Sequence, residues 1–307
     1  MKNNTSVFSG DATRPGSGVC ALLVITAALT FPTGALAGAI TLGSAQDFTV
    51  LGAAGVSVGG TNGTVVSGNL GDYPDSLSSI TGFPSPGSLV NGSFYASDAL
   101  PLIAQQARQD ENTAYNSLVG LSSTANETGI TLGTGGTVST LLPGVYSFFG
   151  SAEVDGALTL DFNGLSNASF VFQIGTTLTT GSSASINVIG GNSTDAIYWQ
   201  VGSSATLGSS TTFVGNILAA DAITLNPFAS IACGRAFAYT AAVTMADRNF
   251  ISNNCALSNT LAGYSSSGPT DFGSRGFSGQ AAPEPGTFAL LGIGLWGVAK
   301  YFKKTRA

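Results

Sequence analysis

Histidine is absent from the 307-residue sequence, which excludes histidine-based catalytic triads and most catalytic zinc sites. Charge is also scarce, since Asp, Glu, Lys and Arg together make up 8% of the chain. Residues 38–282 hold four arginines, no lysine and fourteen Asp or Glu residues, a net charge of −10 that disfavours nucleic acid as a partner. The acidic residues are scattered and form no calcium-loop repeat. We therefore predict no metal site and no cofactor.

The first 37 residues are typical of an export signal. Lys2 and Arg14 precede an apolar run at residues 19–29, and the small residues A-L-A follow at 35–37. The apolar run is short against the roughly 20 residues that span a bilayer, and small residues suit cleavage by a signal peptidase. We therefore predict a cleaved signal peptide at residues 1–37, with a membrane anchor as the alternative.

A second targeting signal occupies residues 283–307. Pro283, Glu284 and Pro285 precede an apolar stretch at 287–299 and a basic tail. This arrangement closely resembles the PEP-CTERM sorting signal of Gram-negative, exopolysaccharide-producing bacteria. The resemblance implies that an exosortase recognises the triplet and removes a tail that anchors the chain in the membrane only transiently. The mature protein would then be extracellular or on the outer cell surface, where exopolysaccharide is a candidate partner.

Between these signals, residues 38–257 are predicted to form one domain, followed by a Gly- and Ser-rich flexible linker at 258–282. The domain contains a repeat, because F-Q-I-G-T-T-L-T at 172–179 is echoed by W-Q-V-G-S-S-A-T at 199–206. Threonines in an apolar–Thr–apolar or nearly equivalent pattern recur in the same register, and these are Thr159, Thr179, Thr206, Thr224 and Thr244. Such alternation indicates strands with apolar residues inward and threonines outward.

The spacing of these threonines suggests stacked coils. Successive members lie 20, 27, 18 and 20 residues apart, which suits one coil of a β-solenoid per step. Stacked strands lie about 4.8 Å apart, so equivalent side chains form columns. We therefore predict that the five threonines form a single column on one flat face.

Residues 97–120 depart from the repeat and are predicted to form one long α-helix. Ser97 or Asp98 can cap it, Pro101 suits its first turn and Gly120 can end it. One side of this helix collects apolar residues, which are Leu100, Ile103, Ala104, Ala107, Ala114, Tyr115 and Leu118. We expect the helix to pack along the solenoid and cover one wall.

Ordered segments between residues 40 and 255 carry a family resemblance. They include L-G-S-A-Q-D-F-T-V-L-G at 42–52, L-P-G-V-Y-S-F at 142–148 and G-R-A-F-A-Y-T-A-A-V-T at 234–244. In these segments the chain resembles the ice-binding proteins of bacteria, diatoms and fungi. The resemblance implies a mostly β fold, namely a discontinuous right-handed, three-faced β-solenoid with one long α-helix packed along its side.

In that family one flat face binds ice and its ordered water, often through T-A/G-x-T/N units. Carried onto this chain, the resemblance implies an ice-binding surface made of Thr159, Thr176, Thr179, Ser203, Thr206, Thr224 and Thr244. The unit T-G-I-T at 128–131 also matches but lies outside this series. A rigid, charge-poor array of methyl and hydroxyl groups can order water in an ice-like layer.

Two cysteines remain after the signal peptide, Cys233 and Cys255. Their separation of 22 residues is close to one coil, and an exported protein meets oxidising conditions. We therefore predict a disulfide between neighbouring coils, with two free buried thiols as the alternative.

Two other functions remain open from the residues alone. A structural or adhesive protein of the extracellular matrix or biofilm would have the same fold and sorting signal without ice activity. A polysaccharide-cleaving enzyme would need paired carboxylates, and Glu153 and Asp155 lie two residues apart with Asp161 nearby. Carboxylates without a catalytic role are far commoner on protein surfaces, so we predict that the protein is not an enzyme, and we favour ice binding over a structural role.

Overall fold

The computed structural model describes residues 40–61, 63–98, 101–192 and 194–254. These residues form an α-helix, α1 (Pro101–Val119), two 3-10 helices (Gly43–Asp47 and Leu77–Ser79) and many short strands. In chain order the strands are β1 (Phe48–Gly52), β2 (Val56–Val58), β3 (Thr64–Ser67), β4 (Asn69–Asp72), β5 (Ile80–Thr81), β6 (Gly87–Val90), β7 (Phe94–Tyr95), β8 (Ala125–Asn126), β9 (Thr131–Leu132), β10 (Thr140–Leu141), β11 (Gly144–Phe148), β12 (Ala152–Val154), β13 (Ala157–Asp161), β14 (Ser169–Ile174), β15 (Leu178–Thr180), β16 (Ser185–Ile189), β17 (Ala196–Val201), β18 (Ala205–Leu207), β19 (Thr212–Ala219), β20 (Ile223–Leu225), β21 (Ser230–Ala238), β22 (Val243–Met245) and β23 (Phe250–Ser252).

The strands form two sheets. The smaller sheet has eight strands in the order β5-β2-β22-β20-β18-β15-β12-β9, and all its neighbouring pairs are parallel. The larger sheet has fifteen strands. Its long strands β19 and β21 each pair with different neighbours at their two ends. Each pass of the chain therefore contributes to both sheets.

The order of strands is discontinuous along the chain. In the smaller sheet β2 pairs with β22, and in the larger sheet β1 pairs with β21 and β3 with β23. The first strands therefore stack on the last ones, and α1 lies between the two groups in sequence. The predicted mostly β fold with parallel strands and one long helix is confirmed, while the right-handed winding and the three faces stay predictions.

The core lies between the sheets and is made of the inward residues of each strand. Trp199 is fully buried, stacks on Phe172 with ring centroids 3.7 Å apart, and donates a hydrogen bond from Nε1 to the Val214 carbonyl at 3.1 Å. Phe172 and Trp199 are register partners, as the 27-residue repeat predicts. Stacking of equivalent apolar residues therefore builds one continuous core.

The helix α1 is shorter than its prediction of 97–120 and covers part of the larger sheet. Its buried residues Ala107, Ala114 and Leu118 pack in one cluster with Tyr198 and Phe237 of that sheet, and Ala104 is also fully buried. Ile103 was predicted to face the solenoid, but it is 43% exposed. Ile103 precedes the buried Ala104, and the buried side of the helix also includes Arg108 and Glu111.

Those two charged residues fasten the helix across the point where first and last strands meet. Arg108 donates to the carbonyl oxygens of Gly52, in β1, and Ala238, in β21. Its Nη1 lies 2.5 Å from Glu111 Oε2, and both side chains are buried. Burial raises the pKa of Glu111 to about 7, although the Arg108 guanidinium opposes that rise.

Several predictions fall outside the described residues. They are the signal peptide at 1–37, the linker at 258–282, the sorting signal at 283–307 and Cys255. Cys233 is fully buried and disulfide-bonded. Its pairing with Cys255 stays a prediction. Within the described ranges, no helix combines the length and apolar character needed to cross a membrane.

Candidate functional site

The outer surface of the smaller sheet carries one column of aligned side chains, the outward column. Register pairing joins Thr81 to Ser57, Ser57 to Thr244, Thr244 to Thr224, Thr224 to Thr206, Thr206 to Thr179, Thr179 to Glu153 and Glu153 to Thr131. The six consecutive members from Thr81 to Thr179 are called here the hydroxyl run. At the usual spacing of stacked strands the run is about 24 Å long.

Alternation along each short strand produces this column. Ile223 and Leu225 are fully buried on either side of Thr224, and Val243 and Met245 are fully buried on either side of Thr244. All members of the hydroxyl run are exposed or partly exposed. The apolar neighbours anchor each strand, and the hydroxyl side chain between them points to solvent.

Mostly small residues flank the strands of the hydroxyl run on both sides. The residues just before the strands of the run are Ser79, Gly55, Ala242, Ala222, Ser204 and Thr177, and those just after them are Gly82, Gly59, Ala246, Asn226, Gly208 and Gly181. Close packing of neighbouring passes requires glycine at some of these positions. A Cβ at Gly208 would lie 2.4 Å from the Thr180 carbonyl oxygen, so only glycine fits.

Hydrogen bonds at the corners hold the passes together. Asn249 is 1% exposed, and its Nδ2 donates to the carbonyl oxygens of Asn226 at 2.7 Å and Ala229 at 3.0 Å. The buried hydroxyls of Thr180 and Thr211 are 2.8 Å apart, and Thr180 Oγ1 also accepts from the Gly208 amide. Buried polar groups satisfied in this way rigidify the frame that carries the outward column.

Thr159 does not belong to the outward column, so its predicted place there is wrong. It lies in β13 of the larger sheet, where it pairs with Thr140 and Asn187. The chain turns at Gly156, which has φ +70°, between β12 and β13. The member of that pass in the outward column is Glu153. The corners between strands differ in length from pass to pass. A spacing of 20 residues therefore does not show in which strand of its pass a threonine lies.

Thr176 and Ser203 lie together at the corner that precedes the strands of the smaller sheet, rather than in the column. The Ser203 amide donates to the Thr176 carbonyl at 2.8 Å, and the Asp221 amide donates to the Ser203 carbonyl at 2.9 Å. The Asp221 carboxylate accepts from the hydroxyls of Ser203 at 2.9 Å and Thr240 at 2.8 Å. This carboxylate is therefore held by its neighbours.

The sequence prediction missed four members of the outward column, which are Ser57, Thr81, Thr131 and Glu153. Ser57 and Thr81 come from the first passes, which stack on the last strand of the series. Thr131 was placed outside the series, but it lies in the column next to Glu153. In V-S-V at 56–58 and I-T-L at 130–132, a hydroxyl residue lies between two apolar residues. This alternation was a signal that could have identified Ser57 and Thr131.

The three carboxylates considered for catalysis do not share one surface. Glu153 is exposed in β12 of the smaller sheet, whereas Asp161 ends β13 in the larger sheet and accepts from the Asn163 amide at 2.7 Å. Asp155 lies at the corner between these strands. Over the described parts of the chain, no group of three or more Cys, Asp or Glu residues could hold a metal ion.

Comparison with known families gives two matches. Residues 50–251 match the ice-binding-like family, and residues 281–304 match the PEP-CTERM protein-sorting motif. The first match covers every strand of the smaller sheet.

Individual relatives agree with these matches. The chain is 47% identical to an ice-binding protein of Nostoc sp. (strain HG1) over 235 residues, which cover 76% of this chain and 82% of that protein. It is similar to the crystal structure of an ice-binding protein from the Antarctic ascomycete Antarctomyces psychrotrophicus, with 34% identity, a TM-score of 0.61 and coverage of 70% and 98% of the two chains. An ice-binding protein from an Antarctic biological consortium gives 40% identity, a TM-score of 0.59 and coverage of 69% and 90%.

Proposed function

Because this chain belongs to the ice-binding-like family, we propose that it is an exported protein that binds ice through the outward column of the smaller sheet. The observation that carries the proposal is the hydroxyl run, in which six hydroxyl side chains stand in register on consecutive parallel strands. Of the predicted site residues, Thr179, Thr206, Thr224 and Thr244 lie in this run.

The physical basis of binding is the ordering of water over a flat and rigid surface. Threonine presents a methyl and a hydroxyl group at each step, and no charged side chain interrupts the six strands of the run. Each contact with an ordered water layer is weak, but many act together. Rigid side chains and backbone lose little conformational entropy on binding, so more of the contact energy appears as affinity.

Thr176 and Ser203 are proposed as helpers at the edge of this surface. Their corner stacks beside the strands that hold Thr179 and Thr206, three residues further along the chain in each case. Asp221 at the same corner binds less water than a carboxylate without partners, because the Ser203 and Thr240 hydroxyls each donate to one of its oxygens.

The sorting motif at residues 281–304 supports a proposal for the destination of the protein. We propose export with removal of residues 1–37 and recognition of Pro283, Glu284 and Pro285 by an exosortase. The mature protein would act outside the cell or at its outer surface. We also propose that the strands wind as a right-handed, three-faced β-solenoid. The parallel pairing supports this proposal, as does the pairing of the two ends of β19 and of β21 with different neighbouring strands.

A pair of identical substitutions tests the ice-binding surface. Thr206→Tyr places a bulky ring in the hydroxyl run, and Thr159→Tyr places the same ring on the larger sheet. We expect Thr206→Tyr to reduce thermal hysteresis and ice recrystallisation inhibition strongly, with Thr159→Tyr close to the unsubstituted protein. Thermal unfolding should change little in either variant, because both side chains point away from the core.

The outcome of this test separates the remaining readings. Activity in the unsubstituted protein that Thr159→Tyr abolishes and Thr206→Tyr leaves intact would place the ice-binding surface on the larger sheet. Absence of ice activity in the folded, unsubstituted protein would refute the proposal and leave a structural role in the extracellular matrix.

A further inference from the structure

Glu153 is the one charged residue in the eight strands of the smaller sheet. It occupies the outward column, between Thr179 of β15 and Thr131 of β9. Its side chain is exposed, and it makes no hydrogen bond or ion pair with the described residues. The hydroxyl run therefore ends at a free carboxylate, with Thr131 cut off beyond it.

A second carboxylate lies at the corner of the same pass, beside the column. Asp155 follows Glu153 by two residues, and its oxygens lie 2.3 Å from the positions that a Cβ would take at Gly135 and at Gly181. Its carboxylate thus lies over the passes on both sides. Two negative charges therefore belong to the same pass, at the level where the hydroxyl run stops.

We propose that Glu153 sets the end of the ice-binding surface and limits its activity. This inference rests on the proposed function and adds the extent of the contact. A carboxylate holds its own hydration shell, and removing that water is costly, so an ice-like layer stops at Thr179. A glutamate side chain also extends further from the sheet than a threonine, which breaks the flatness at the same place.

The inference predicts a gain of activity from one substitution. Glu153→Thr would give an unbroken column of eight hydroxyl residues from Thr81 to Thr131. Threonine suits an exposed strand position better than glutamate, so the fold should be retained. We expect higher thermal hysteresis at equal protein concentration, and half-maximal inhibition of ice recrystallisation at a lower concentration.

Two further variants test whether the charge or the length of Glu153 limits the ice activity. Glu153→Gln removes the charge but keeps the length, so a gain equal to that of Glu153→Thr assigns the limit to charge, and a smaller gain assigns part of it to length. Asp47→Asn removes one negative charge from an exposed residue of the first 3-10 helix, away from the column. We expect this control to leave ice activity unchanged, because net charge alone is not the cause.

The Thr206→Tyr variant in the same series distinguishes failure of this inference from failure of the proposed function. If Thr206→Tyr loses activity while Glu153→Thr stays at the unsubstituted level, the inference is wrong and the ice-binding surface stands. If neither variant changes activity, both proposals are wrong. A gain in Asp47→Asn equal to that in Glu153→Thr would also overturn the inference.

Discussion

The smaller sheet and the part of the larger sheet under α1 are built from the same passes of the chain, but their outer side chains have opposite properties. Under the helix, Tyr198 and Phe237 are buried, and Arg235, which contacts the first 3-10 helix, is 1% exposed. In the hydroxyl run of the smaller sheet the outward side chains are short, at least partly exposed to solvent and almost free of partners. Ser57 Oγ lies 3.4 Å from Thr244 Oγ1, a long contact.

This difference indicates which region stabilises the fold and which region is left open to solvent. Arg235 donates from Nε to the Gln46 carbonyl at 3.1 Å and from Nη1 to Asn216 Oδ1 at 3.1 Å, so it joins the start of the fold to its last passes. Gln200 Nε2 similarly donates to the Tyr115 hydroxyl of α1 at 2.9 Å. The covered region holds the molecule together, which leaves the open sheet free to carry a surface whose contacts are made with water.

The largest expected effect on stability comes from the shared core. Trp199→Ala removes the stacked ring and its hydrogen bond, and truncation of a fully buried tryptophan costs about 3–5 kcal/mol of unfolding free energy. Chemical unfolding followed by circular dichroism measures this loss. Thr206→Tyr is the matched comparison, with a change within about 0.5 kcal/mol expected for a surface site. Equal losses in the two variants would contradict the division between a stabilising and a functional region.

The next effect is a pH dependence confined to the covered region. Burial raises the pKa of Glu111 to about 7, so the folded protein keeps a proton there that the unfolded chain releases near its ordinary value of 4.5. Folding then takes up a proton, and stability falls as pH rises from about 4.5 to about 7, by on the order of 3 kcal/mol.

Glu111→Gln tests that dependence. We expect the variant to lose this part of the slope when unfolding free energies are measured between pH 4.5 and 7.5. Glu127→Gln, at a partly exposed position outside α1, should keep it. A slope that is the same in Glu111→Gln and in the unsubstituted protein would show that Glu111 is ionised in the folded state throughout this range.

The same comparison shows what could be predicted from the sequence. Thr179 and Thr206 were placed correctly because β14 and β17, with the short strands after them, repeat at a fixed separation. Thr159 was misplaced because corner length varies between passes, so the spacing alone does not give the register. Local alternation identifies an outward residue but does not identify the sheet to which it belongs.

Two other features depend on contacts that are distant in sequence. Ser57 joins the column only because β2 stacks on β22, and no local pattern signals a pairing between the start and end of the domain. Arg108 and Glu111 are buried on the side of α1 that faces the sheet, whereas charged helix residues usually face solvent. Both outcomes depend on the discontinuous order of the strands.

A smaller effect is expected at the corner between the two regions. Asp221 lies between β19 of the larger sheet and β20 of the smaller one, and it accepts hydrogen bonds from Ser203 and Thr240. Asp221→Ala removes these exposed bonds, so we expect a loss of about 0.5–1 kcal/mol in unfolding free energy. Ice activity should stay near the unsubstituted level. A gain of activity as large as that of Glu153→Thr would mean that Asp221 is a free charge despite its partners.

The smallest effect on stability is expected from substitutions in the hydroxyl run. Two positions in the run, compared with each other, give the most detailed test of the open sheet. Tyr in place of Thr224 divides the run into segments of three and two, whereas Tyr in place of Thr81, at the end of the run, leaves five neighbours unbroken. Both substitutions should change the unfolding free energy by less than about 0.5 kcal/mol, because the rings point to solvent. Thermal hysteresis should fall much more for Thr224→Tyr, since cooperation among many weak contacts requires that they be contiguous. Equal losses at the two positions would indicate that ice is bound by separate local sites and not by one continuous surface.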